Sequence, residues 1–165
     1  MANLDKQTYK SSWNPNVAEM VINITDDNGQ GAAGVYTASV TIPEGSYIND
    51  IIVQAVTTWD SATSCNLVLG DEDDPNGYLE NTNLKSGGLE SPLATSILAE
   101  SGAGLGAAGV YIMDADGTGG GIYKAGTRTV TAQITTGGAG TVGETRVVVS
   151  WSKPTDVVKG NYVAS

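Results

Sequence analysis

The chain has 165 residues, 22 of them glycine, with 16% charged side chains, no histidine, one cysteine and a net charge of −10. A chain of this length folds as one domain with a core of its own, and its surplus of carboxylates repels nucleic acid over most of the surface. The missing histidine removes the usual general base, the usual zinc ligand and every Ser-His or Cys-His nucleophile pair, and most hydrolase mechanisms fall with them.

Residues 1–16 read as an N-terminal arm ahead of a single β domain at 17–165. Its large aromatics, Tyr9 and Trp13, suit docking on a neighbouring surface, although Trp13 could equally fold back on its own domain. Residues 1–10 lack the hydrophobic centre of a signal peptide, and no stretch reaches the roughly 20 apolar residues of a membrane span. Neither a membrane nor a nucleic acid is expected as a partner.

From Val17 onward the apolar residues recur with period two, and no helical period is sustained over three turns. Met20, Ile22 and Ile24 line one face of a first strand, ended by the turn sequence Asp26-Asp27-Asn28-Gly29. A second strand presents Tyr36, Ala38, Val40 and Ile42 and stops at Pro43 and Gly45. The third carries Ile51, Val53, Ala55 and Trp59 on one side and Ile52 and Val56 on the other, which predicts a central strand covered on both faces. Leu67 and Leu69 mark a fourth strand, closed by an acidic turn over 70–77. Cys65, in phase with them, reads as a small buried hydrophobe, with a reactive thiol as the alternative.

The stretch 79–109 reads mostly as loop, with a short helical possibility at 93–100. Val110, Ile112 and Tyr123 are expected to form a strand pair around the glycines at 117–121. Val130, Ala132 and Ile134, then Val147, Val149 and Trp151, line two further strands joined through 137–143, which predicts a hairpin. The hexapeptide Gly31-Ala32-Ala33-Gly34-Val35-Tyr36 recurs as Gly106-Ala107-Ala108-Gly109-Val110-Tyr111, through pseudo-equivalent halves or by coincidence in a Gly/Ala-rich chain. Seven or eight short strands with Gly-rich connections predict an all-β antiparallel two-sheet sandwich, jelly-roll-like, with a closed barrel as the alternative.

Two acidic clusters remain as candidate sites. Asp71, Asp73, Asp74 and Asn76 offer oxygen ligands at close spacing for a hard cation such as calcium. The same Asp-Pro-Asn-Gly sequence is also a good β-turn, and no glutamate stands at an EF-hand position. Asp114, Asp116 and Thr118 form a second and weaker set. Paired carboxylates could also serve a polysaccharide-degrading enzyme, but these lie in turn sequences rather than in an aromatic-lined cleft. No cofactor is expected, because the glycine run at 117–121 lacks the Lys-Ser/Thr of a phosphate loop.

Ile42-Pro43-Glu44-Gly45, the long strand from Ile51 to Trp59, Leu69-Gly70-Asp71 followed by Gly77-Tyr78, the threonine-rich Thr129 to Thr136 and the closing Arg146 to Trp151 stand in this order along the chain. The order resembles that of small β-sandwich virion proteins of tailed bacteriophages, the capsid decoration or cement proteins, over about two-thirds of the sequence; residues 87–109 match none of its pieces. The resemblance implies a structural virion protein on the outer surface of the capsid, bound to the major capsid protein as a homotrimer and stabilising capsomer junctions, with Trp59 and Trp151 in the sandwich core. A head-fibre or tail-associated module binding host glycans is the alternative.

Overall fold

The computed structural model describes residues 16–26, 33–85, 94–96 and 123–153. Among them every regular element is a strand: β1 (Asn16–Asn23), β2 (Gly34–Ile42), β3 (Ser46–Thr57), β4 (Cys65–Gly70), β5 (Leu79–Asn83), β6 (Ala94–Ser96), β7 (Tyr123–Lys124), β8 (Arg128–Thr136) and β9 (Glu144–Ser152). One sheet runs β1-β9-β3-β6, with β7 also on β3, and the other runs β2-β8-β4-β5. All pairings are antiparallel. The pairs β1 with β9, β2 with β8, β3 with β6 and β4 with β5 make one long ribbon, folded so that its two halves face each other. That wrapping is a jelly roll. It confirms the sandwich expected from the period-two pattern, and the two sheets do not close into a barrel.

Alternation places the core. Met20 and Ile22 from β1, Ile51, Val53 and Ala55 from β3, and Val147 and Val149 from β9 face Tyr36 and Ile42, Leu67 and Leu69, and Val130, Ala132 and Ile134 across the interior. Two sheets whose inner faces interdigitate this way sit about 10 Å apart and exclude water between them. Gly45, at φ 68, makes the tight corner from β2 to β3 in a left-handed conformation that a side chain would strain.

Four expectations are corrected. The strands containing Ile134 and Val147 are not a hairpin: β8 lies between β2 and β4, β9 lies between β1 and β3, and 137–143 crosses from one sheet to the other. Period two says which face of a strand is buried but not which strand lies beside it. Part of 79–109 is extended, since β5 pairs with β4 and Ala94–Ser96 adds a strand beside Ile52–Gln54 where a helical turn was expected. β3 is central in its sheet, but Ile52 and Val56 are half-buried, because a two-layer fold covers only one face. Trp59 is buried beyond the end of β3, whereas Trp151 is half-buried at the margin of the core. Val110, Ile112, the glycines at 117–121 and the second copy of the repeated hexapeptide lie outside the described residues.

Candidate functional site

The corner from β4 to β5 is the most elaborated polar feature of the fold. Asp71 accepts hydrogen bonds on Oδ1 from the backbone N–H groups of Asp73 (3.0 Å) and Asp74 (3.1 Å). The Asp74 carbonyl in turn accepts from the N–H groups of Asp71 and Gly77. Such side-chain and backbone bonds fix a turn locally, as the Asp-rich sequence leads one to expect. Gly70 is required by crowding: a Cβ there would fall on the backbone of Asp74 and Pro75.

The other oxygen of Asp71 faces inward. Its Oδ2 lies 3.4 Å from Arg128 Nε and accepts a hydrogen bond from the Tyr78 hydroxyl at 3.2 Å, while that hydroxyl accepts from Arg128 Nη1 at 2.7 Å. All three residues are buried. Outside this triad, Lys124 Nζ bridges Glu72 (2.5 Å) and Asp73 (2.6 Å), and the second oxygen of Glu72 accepts from Thr129 N–H at 2.8 Å. The acidic turn is thus clasped to β7 and β8.

Burial alone would raise the Glu72 carboxyl, but the hydrogen bonds from Lys124 and Thr129 outweigh it and bring the group down to about 2. At the opposite end of the sandwich, hydrogen bonds from Val142 N–H and the Thr141 hydroxyl lower Asp60. A carboxylate whose folded value is depressed contributes stability that is present above its unfolded value and is lost as pH falls through the folded one. The unfolding midpoint should therefore be flat from neutral pH to the ordinary carboxylate range and drop from there toward about 2. Urea melts across pH 2–7 would show this, and Glu72→Gln should shallow the drop.

The residues put forward as calcium ligands lie in one turn, with their carboxylates engaged as follows. Asp71 turns to the interior, Asp73 to Lys124, and Asp74 accepts from Asn76 N–H on the turn itself. Among the described residues no three His, Cys, Asp or Glu side chains are grouped to hold a metal ion. Asp114, Asp116 and Thr118, and the arm residues Tyr9 and Trp13, lie outside the described residues. The partners of Asp71 were not picked out from the sequence, although one signal was there: Arg128 is in phase with Val130, Ala132 and Ile134. A cation on the inward face of a strand requires a buried acid opposite it.

Cys65 is buried, and burial pushes its thiol up to about 12. The small-hydrophobe reading of the sequence fits this environment. A thiol reagent at pH 8 should leave the folded chain unmodified and label one cysteine per chain in urea; labelling of the folded chain at the unfolded rate would contradict that burial.

The outer faces differ in chemistry. On the sheet containing β2, β8 and β4, the outward residues Thr37, Ser39, Thr41, Thr131, Gln133 and Asn66 are uncharged. A groove of about 320 Å³ opens at one end of this face, between Val68, Pro75, Thr131 and Gln133. The other sheet shows Val17, Val21, Ile52 and Val148 beside an ion pair, Arg146 to Glu19 at 2.6 Å, and a further carboxylate, Glu144, which accepts from Asn23 Nδ2 at 3.1 Å. These features describe a sandwich whose acidic corner is spent on holding its own turn and whose two flat sides differ in charge.

No family model and no curated protein sequence matches the chain. By structure it is similar to a chain in the acidic stable capsid structure of Helicobacter pylori bacteriophage KHP30, at 14% identity and a TM-score of 0.53 over 87% of this chain and 90% of that one. It is also similar to a chain in the capsid asymmetric unit of cyanophage Pam1, at 18% identity and a TM-score of 0.52 over 93% and 94%. The fold is shared with both along nearly the whole length of each.

Proposed function

We propose that this chain is a non-enzymatic structural protein of a tailed-phage virion, a decoration or cement protein that binds the outer surface of the head as a homotrimer. The major capsid protein is its partner, and capsomer junctions are its seat. The observation that carries the reading is the near end-to-end likeness to chains of two phage capsid structures, joined to the order of motifs in the sequence. The chemistry agrees: the acidic turn is consumed in local hydrogen bonds and ion pairs, and the chain has no histidine.

A protein that binds the intact shell and not the ruptured one stabilises the shell by linkage, by about 2.7 kcal/mol per site at a concentration 100-fold above Kd. Three sites on one axis add to this through effective concentration. Heads stripped of the protein should rupture at a lower temperature and regain the loss when it is added back. An unchanged rupture temperature after saturating add-back would overturn the proposal.

A glycan-binding module is the second reading, favoured by the groove beside Thr131 and Gln133. It predicts retention on a host-glycan array that Gln133→Ala abolishes.

A further inference from the structure

The end of β1 closes in a turn built around one side chain. Asn23 donates from its backbone N–H to Asp26 Oδ2 at 2.7 Å and from Nδ2 to Glu144 Oε2 at 3.1 Å, while its own Oδ1 accepts from the N–H and hydroxyl of Thr25. The Asn23 carbonyl accepts from Asp26 N–H at 3.0 Å. Two carboxylates are thereby set beside one asparagine, and the turn itself holds the Asp26 side chain in place.

Asp26 also lines a pocket of about 170 Å³, together with Ile22, Val35, Tyr36 and Thr37 from the neighbouring strands β1 and β2. Ile22 and Tyr36 belong to the core, Val35 is 58% exposed, and Asp26 is the one charged residue of the five. Among the described residues no lysine or arginine is paired with Asp26 or Glu144. Lys85 is held by the carbonyls of Ser61 and Thr63, Lys124 by Glu72 and Asp73, Arg128 by Asp71 and Arg146 by Glu19. Lys153 follows the opposite end of β9 from Glu144.

We infer that this pocket receives a lysine or arginine side chain from a partner polypeptide, which under the proposed function is the major capsid protein; the inference rests on that reading. Two features select the occupant. Ile22, Val35 and Tyr36 offer apolar surface that a partner gains by covering, but an uncharged cover would strip water from the Asp26 carboxylate and give nothing in return. A cation on a hydrocarbon stem answers both, since its methylenes suit the apolar walls and its charged head meets the carboxylate. Glu144, held by the same Asn23, adds to the negative potential that draws such a group in.

The test is add-back to stripped heads, with the dissociation constant measured at about 50 and 300 mM salt for the wild type, Asp26→Asn and Glu44→Gln. Asparagine keeps an oxygen for the Asn23 N–H, so the turn should survive, and matching circular dichroism melts would confirm it. Glu44→Gln removes the same charge beyond the other end of β2. Asp26→Asn should weaken binding at least ~10-fold and flatten its salt dependence, and Glu44→Gln should do neither. Heads that bind Asp26→Asn as tightly as the wild type would overturn the inference and leave the proposed function standing, while heads that do not bind the wild type would overturn both. Lys6→Gln, Lys10→Gln and Lys159→Gln together make the remaining control. In that background Asp26→Asn should cost the same factor; a cost that vanished would mean that the cation comes from this chain, and would also overturn the inference.

Discussion

Asp71→Ala is expected to lower the unfolding free energy by about 3–5 kcal/mol, the range found when one partner of a buried ion pair is removed. The reason lies in what stays behind. Arg128 is buried and always charged, and the substitution takes from it the Asp71 carboxylate while also freeing the two N–H groups that Oδ1 holds in the turn. Tyr78→Phe should cost less, about 1–3 kcal/mol, because it removes a bridging hydroxyl and keeps the packed ring. Replacing both charges, as Asp71→Ala with Arg128→Leu, should restore part of the loss, since a buried pair is stabilised by its own partnership more than it stabilises the fold. Urea denaturation of the wild type, these three variants and Arg128→Leu alone, with a common slope, is the measurement. Additive losses in the double variant would mean that Asp71 and Arg128 act separately.

Trp59→Ala should be as damaging, by about 3–5 kcal/mol, because the cavity it leaves cannot collapse. The indole is 1% exposed, donates from Nε1 to Thr145 Oγ1 at 2.9 Å and meets the Tyr36 ring edge-on at 5.6 Å between centroids. Gly143 lies against its face, so close that a Cβ would overlap the ring. The tryptophan is therefore the post against which the crossing segment 137–143 is held, with Asp60 accepting from Thr141 and Val142 alongside. Thr145→Val, which keeps the shape and removes the acceptor, separates the hydrogen bond from the packing and should cost about 1–3 kcal/mol. If Trp59→Ala unfolded at the wild-type urea midpoint, the packing account of this end would be wrong.

Much of this core could be read from the sequence, because the longer strands that face it alternate. Met20 and Ile22, Ile51 and Val53, Leu67 and Leu69, Val130 and Ile134, and Val147 and Val149 all point inward as period two requires. Strand partnership was not legible. Val130 and Val147 flank a glycine-rich connection that suits a hairpin, yet that connection crosses between layers, held by Gly137 N–H on Ser64 O and by Asp60 N–H on Val142 O. Those contacts join residues more than 70 positions apart, and no local pattern encodes them. Leu79–Asn83 hid for a different reason, since a register shift against β4 and the positive φ of Asn81 break its alternation.

The candidate site was legible as composition and not as geometry. Asp71, Asp73 and Asp74 stand out as a cluster, but whether such oxygens converge on a point or diverge into a turn depends on Lys124 and Arg128, about 50 residues away.

The central claim, a sandwich whose use is the surface it lends to a phage head, is tested most directly by imaging the virion with antibody raised against this chain. The account predicts label over the outside of the head at regular lattice positions. Label confined to the tail tip, or particles that carry none of the protein, would contradict it.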